Sequence, residues 1–180
     1  MEPIFTLPYS EYAVANRLNF IFKKKEFSIL IPLSRQEKGY DLIILNKKNN
    51  KTARIQVKSS RLFIKLKKSK EGYQYGMNFN NFNGKYKKGD ADFYLFFCSF
   101  ANHEQNKTRI TRRNSWIDLI LCYPEKDMFS FLKRLKTNRY FSYGFENLKE
   151  IFITRGLDKG KRADEYLLEY QEDKIRKHLK

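Results

Sequence analysis

The sequence predicts an α/β fold. Three observations lead there. A helical spacing of apolar residues opens the chain and returns in its second half. Period-two alternation dominates between them and is cleanest over Thr52–Ser59. No internal repeat, Pro- or Ser-rich linker or low-complexity tract interrupts the 180 residues, a length that fits one domain.

In the first element Glu11, Val14, Ala15, Leu18, Ile21 and Phe22 recur at helical steps, with Ser10 or an earlier residue as cap. Lys23, Lys24 and Lys25 close it with positive charge suited to a last turn. Phe27, Ile29 and Ile31 then alternate as a strand does, and Ser34–Gly39 reads as a polar loop. Tyr40–Leu45 is a short apolar strand, Asn46–Lys51 a polar turn and Thr52–Ser59 a second strand, which together predict a hairpin. Further on, Leu62–Leu66, Tyr73–Phe79, Asp92–Phe100 and Trp116–Tyr123 read as strands, with an exposed basic loop over Asn80–Gly89 and a polar stretch over Asn102–Asn114. Glu125–Lys136 fits a helix through Met128, Phe129, Leu132 and Leu135. Asn138–Thr154 has aromatics without a period. Arg162–Leu179 is helical, with Tyr166, Leu167, Tyr170 and Ile175 as its expected apolar side.

Charge narrows the partners. Lys and Arg number 37 against 20 Asp and Glu, a net charge of +17. The excess is +6, +7 and +4 over successive thirds, so it belongs to the whole chain rather than to a tail. Such a balance favours a polyanion, most often nucleic acid. Two His and two Cys are too few for a Cys/His zinc site or a disulfide framework, and Cys98 and Cys122 read as reduced, buried thiols. Met1–Phe5 lacks a secretory pattern and the longest apolar run, near Phe93–Cys98, is too short to span a membrane. A cytoplasmic protein is the expectation.

Two glycine pairs give only a shadow of a phosphate loop. Gly156 and Gly160 stand one residue too close and lack the Ser/Thr that follows the lysine, and Gly84 and Gly89 are followed by Asp90. Both read as basic turns, and His103 and His178 read as solvated.

Glu11, Asp41, Gln56 and Lys58 carry more weight. Glu11 shares the inward face of the first helix, where a carboxylate needs a cation or metal to replace its hydration. Asp41 heads the most apolar strand, where strand propensity disfavours it. Gln56 and Lys58 project from one face of their strand, about 7 Å apart by the strand rise. The hairpin brings Asp41 beside them. Each residue alone has an ordinary reading as turn or solvated face; together they suit phosphodiester cleavage. That reaction needs a hard divalent cation held by oxygens, and a cationic side chain to position water and offset charge on the phosphorane.

Glu11, Gly39-Tyr40-Asp41-Leu42-Ile43-Ile44 and Arg54-Ile55-Gln56-Val57-Lys58-Ser59 resemble the core of the PD-(D/E)XK nuclease superfamily. Within it they resemble small endonucleases with an R-I-Q-V-K-type motif, such as group I intron homing endonucleases, and more distantly Holliday-junction resolvases. The resemblance covers roughly residues 8–60. It implies a restriction-endonuclease-like core, a mixed β-sheet flanked by helices, with a catalytic core over about 8–100 and an elaboration over about 101–180. It implies a Mg2+-dependent endonuclease, with Mn2+ able to substitute, acting on double-stranded DNA as a homodimer or higher oligomer. Asp41 would be the principal metal ligand, Glu11 a supporting acid, Gln56 and the Val57 carbonyl further ligands, and Lys58 the catalytic lysine. Tyr40 replaces the family's proline. Gln56 replaces an acid and removes one negative charge from the site.

Site-specific cleavage of homing or restriction type is the leading expectation, junction resolution the runner-up, and a catalytically inactive DNA-binding protein the reading Gln56 motivates. Arg61, Lys65, Lys67, Lys68, Lys85, Lys87, Lys88, Arg112 and Arg113 are the candidate DNA contacts. If about six cations engage phosphates, log K for duplex DNA falls with log salt at a slope near −5, and a slope near −1 in a salt titration would rule out an extended track.

Overall fold

The structure is a computed structural model and describes residues 9–32, 39–64, 73–80, 82–101, 116–135, 140–146 and 149–180. Two sheets and their helices form three layers. The chain runs α1 (Tyr9–Ile21), β1 (Phe27–Leu30), β2 (Leu42–Asn46), β3 (Thr52–Ser59), β4 (Leu62–Ile64), β5 (Tyr75–Asn80), α2 (Phe82–Lys85) and β6 (Phe93–Ala101). It continues through β7 (Trp116–Pro124), α3 (Glu125–Arg134), β8 (Tyr140–Phe145), β9 (Ile151–Ile153), a 3-10 turn (Asp164–Tyr166) and α4 (Leu168–His178).

The central sheet has the order β1-β2-β3-β6-β7. β1, β2 and β3 form an antiparallel meander, β6 lies parallel to β3, and β7 returns antiparallel to β6. This mixed sheet flanked by helices is the α/β architecture the sequence predicts. Asn50 takes the left-handed conformation (φ 58°) that closes the β2–β3 hairpin, a conformation Asn tolerates better than most residues.

Both faces of this sheet are buried, and alternation sorts its residues between them. Ala53, Ile55, Val57, Phe93, Leu95 and Phe97 pack with Val14, Ala15, Leu18 and Phe22 of α1 and with Leu168, Ile175 and Leu179 at the C-terminus. Tyr94, Phe96 and Cys98 face the other way, into a cluster with Met77 and Phe79 of β5, Phe141, Tyr143 and Phe145 of β8, and Met128, Phe131 and Leu132 of α3. The second sheet, β4-β5-β8-β9, closes that layer. The Tyr143 hydroxyl donates to the Tyr123 hydroxyl at 2.9 Å inside it, and burial raises the pKa of both phenols. Both thiols are free and buried as expected; burial, with Asp118 adding, pushes Cys98 up to about 12.

Several expectations change. Ile31 lies beyond the end of β1 and is exposed, and among the described residues no strand pairs with it. The stretch expected as a loop after Asn80 contains α2, and Phe82 packs its ring among Tyr94, Phe96 and Phe141. The aperiodic stretch after Asn138 holds β8 and β9, whose glycine and tyrosines hide the alternation. The last helix starts only at Leu168 and buries Leu168, Gln171 and Ile175, leaving Tyr170 exposed. The 3-10 turn before it shifts the helical phase, and Tyr166 instead stacks on Tyr123 with centroids 3.9 Å apart. His178 is not simply solvated: it packs edge-on against Phe93 and lies 3.8 Å from Asp92. Among the described residues no helix is long and apolar enough to cross a membrane.

The Gly156–Gly160 segment is a structural turn. Asp158 is buried beneath it, 2.6 Å from Arg134 Nε and 2.7 Å from Lys161 Nζ. Burial alone would raise this carboxyl, but hydrogen bonds from Lys161 and Arg134 outweigh it and hold its pKa below the ordinary 3.8. A carboxyl held low when folded stabilises the fold above its unfolded pKa and loses that contribution as pH falls through the folded value. Asp158→Asn is therefore expected to cost about 1–3 kcal/mol at neutral pH, measured by chemical denaturation. The gap to wild type should close as the pH drops below 3.8.

Candidate active site

β3 is paired differently along its two edges. β2 pairs with its first half and stops at Leu42–Ile55, where the Asp41 amide makes a last bond to the Ile55 carbonyl at 2.8 Å. β6 pairs with its second half, from Ile55–Phe93 to Ser59–Phe97. From Gln56 onward the β2-side edge of β3 is therefore open to the residue that heads β2. Asp41 fills the first place there: its Oδ2 accepts the Val57 N–H at 2.7 Å. A strand residue presents its N–H and C=O to the same edge, so the Val57 carbonyl faces the side where Asp41 stands. The Val57 side chain is buried under α1.

Gln56 and Lys58 are register partners of Tyr94 and Phe96, so they project from the opposite face, at the margin of the aromatic cluster. Both are half-buried, and neither side chain has a hydrogen bond or ion pair among the described residues. The structure thus sets Asp41 against the Val57 amide, with Gln56 and Lys58 as the residues on either side of Val57 in β3. Glu11 lies in the first turn of α1, half-buried, on the layer that covers Val57. It therefore approaches this region from the other side of the sheet than Gln56 and Lys58.

Three fixings escape the motif. Asp92 accepts from the Arg54 backbone N–H at 2.7 Å and from Arg54 Nε and Nη2 at 3.3 and 3.2 Å, while its own N–H donates to the Arg54 carbonyl. This clamp locks β6 to β3 two residues before Gln56, and the Asp92 hydrogen bond, against the effect of burial, raises the Arg54 pKa further. Two residues after Lys58, Ser60 donates its amide to the Phe97 carbonyl at 3.0 Å and accepts the Asn78 amide on Oγ at 2.8 Å, tying the second sheet to the end of β3. An Arg alternating with Gln56 and Lys58 and an Asp before an apolar strand were the available signals; Ser60 left none.

The third is Gly39. Its φ is +106°, and a Cβ there would stand 2.7 Å from the Asp90 Cβ. The loop carrying Lys87 and Lys88 is thereby packed against the residue two before Asp41. Both lysines are exposed, as is Arg61 just past β3. Lys65, Lys67, Lys68, Arg112 and Arg113 fall outside the described residues, as does the side chain of Lys85.

The candidate donors are the Asp41 carboxylate, the Gln56 side-chain amide and the Val57 backbone carbonyl. An all-oxygen set of this kind fits a hard divalent cation such as Mg2+ and not a soft one. Among the described residues no three His, Cys, Asp or Glu side chains cluster, so the charge available to such an ion is low.

No protein-family model and no curated protein matches the chain. Among solved structures it is similar to a bacterial homing endonuclease, I-Ssp6803I, with 17% sequence identity and a TM-score of 0.48 over 93% of this chain and 89% of that one.

Two substitutions test this geometry through stability alone. Asp41→Asn keeps an oxygen for the Val57 N–H and is expected to melt close to wild type, whereas Asp41→Leu, which cannot accept, should lose about 1–3 kcal/mol. Gly39→Ala combines a left-handed φ with the clash at Asp90 and should cost at least about 1–2 kcal/mol.

Proposed function

We propose that this chain is a metal-dependent DNA endonuclease, hydrolysing phosphodiester bonds in duplex DNA, with cleavage of the site-specific, homing or restriction type. The observation that carries the reading is the Val57 N–H to Asp41 Oδ2 bond. It holds the lone acid at the head of β2 against the strand that carries Gln56 and Lys58, the arrangement that the PD-(D/E)XK resemblance requires. The net charge of +17 supports a polyanionic substrate independently.

In this reading Asp41, the Gln56 amide oxygen and the Val57 carbonyl hold Mg2+, and Glu11 adds negative charge from α1. When bound, the ion polarises the scissile phosphate and lowers the pKa of a water. Lys58, lacking an ion-pair partner among the described residues, can orient the attacking water and offset the charge that builds on the phosphorane. The loop with Lys87 and Lys88, together with Arg61, contacts phosphates on either side of Asp41. Cutting both strands calls for two such sites, hence a homodimer.

Gln56 favours a second reading, a DNA-binding protein of the same fold without catalysis. Incubation with plasmid, genomic DNA and a synthetic four-way junction, with Mg2+ or Mn2+ and a chelator control, separates the two. Discrete fragments or nicks, abolished in Asp41→Ala and Lys58→Ala, are the expected result. Intact DNA with tight binding retained selects the silent protein, and cutting confined to the junction selects a resolvase. Restoring the missing charge offers a further check: Gln56→Glu should tighten Mn2+ binding, read by calorimetry, by about tenfold or more, since one tenfold step needs about 1.4 kcal/mol.

A further inference from the structure

The layer formed by α1 and α4 is unlike the rest of the molecule in two respects. The first is charge. α1 holds one acid and one base, Glu11 and Arg17. α4 holds three of each: Glu169, Glu172 and Asp173 against Lys174, Arg176 and Lys177. The two helices are therefore each neutral in a chain of net charge +17, although the exposed Lys23, Lys24 and Lys25 follow α1 directly.

The second is exposed aromatic surface. Tyr12, Phe20 and Tyr170 are 55%, 81% and 67% exposed. Single apolar side chains on a surface need no explanation, but these three belong to one face. Tyr12, Asn16 and Phe20 follow one another at four-residue steps along the outer side of α1. The Arg17 guanidinium lies 5.6 Å from the Phe20 ring and pairs with Glu169 of α4 at 2.6 Å, next in sequence to Tyr170. Arg176 binds the Ile21 carbonyl at 2.9 Å and lies over the Phe22 ring, so the two helices are held side by side.

We infer that this α1–α4 face is the contact between two copies of the chain. Charge selects the occupant. Two molecules of this net charge repel wherever a basic surface meets a basic surface, and approach is least opposed through the two neutral helices. The same neutrality, with three acids on α4, disfavours a nucleic acid there. A two-fold axis through the face would bring Phe20 and Tyr170 of one copy onto the same patch of the other, an isologous contact with aromatic anchors at its centre. The inference does not need the nuclease reading, because the assembly is measured without activity.

Sedimentation of the full chain over a wide concentration range tests it. Wild type is expected to pass from monomer to dimer. Phe20→Glu and Tyr170→Glu should each raise the dimer dissociation constant by about tenfold or more, whereas Phe20→Leu should retain the dimer. Thermal melts of dilute samples verify that each variant is folded, and the two glutamate variants lie on different helices, so loss of one leaves the other. Leu157→Glu, at an exposed apolar position on the Gly156–Gly160 turn, should leave the assembly unchanged. A monomeric wild type overturns the inference, as does a dimer that withstands both glutamates or yields only to Leu157→Glu.

Discussion

β3 is hydrogen-bonded to a strand of opposite direction along the first half of one edge and to a strand of the same direction along the second half of the other. Neither neighbour accompanies it for its whole length, and the candidate site lies where the changeover occurs. Past Ile55 the β2-side edge would present unpaired backbone groups, which a largely buried sheet tolerates poorly. Asp41 meets part of that need by accepting the Val57 N–H, which sets its carboxylate against the second half of β3. The Arg54–Asp92 clamp and the Ser60 bonds hold the same strand just before and just after this point.

The two faces of the central sheet explain why so few polar residues reach the site. One face is filled by α1 and α4 and the other by a cluster in which aromatic rings meet edge-on and stacked. Gln56 and Lys58 stay half-buried only because they lie at the margin of that cluster. Among the described residues no carboxylate pairs with the Lys58 side chain. The second sheet adds no motif residue; it covers the cluster and is joined to β3 through Ser60.

Charge is unevenly spread across the fold. The basic loop against Gly39 and Arg61 lies close to the motif strands, while the two helices behind them are each neutral and carry exposed aromatics. That division fits the polyanionic substrate and the second copy proposed above.

Elements whose burial is one-sided or regular could be read from the order of residues alone. The α1 periodicity, the β2–β3 hairpin and the alternation of Ala53, Ile55 and Val57 against Arg54, Gln56 and Lys58 were all legible. Local pattern suffices there because each side chain's face follows from strand or helix period alone. Tertiary structure decided the rest. β8 and β9 are recognised only through their partners, since Gly144 must admit the Tyr73 ring and its neighbouring aromatics are buried by the second sheet. The phase of α4 depends on the preceding 3-10 turn, and the places of Asp92, Ser60 and Gly39 depend on contacts between segments distant in sequence. Glu11 shows the boundary most clearly. Periodicity put it on the inward face of α1, but only the packing of that helix revealed that its layer lies across the sheet from Gln56 and Lys58.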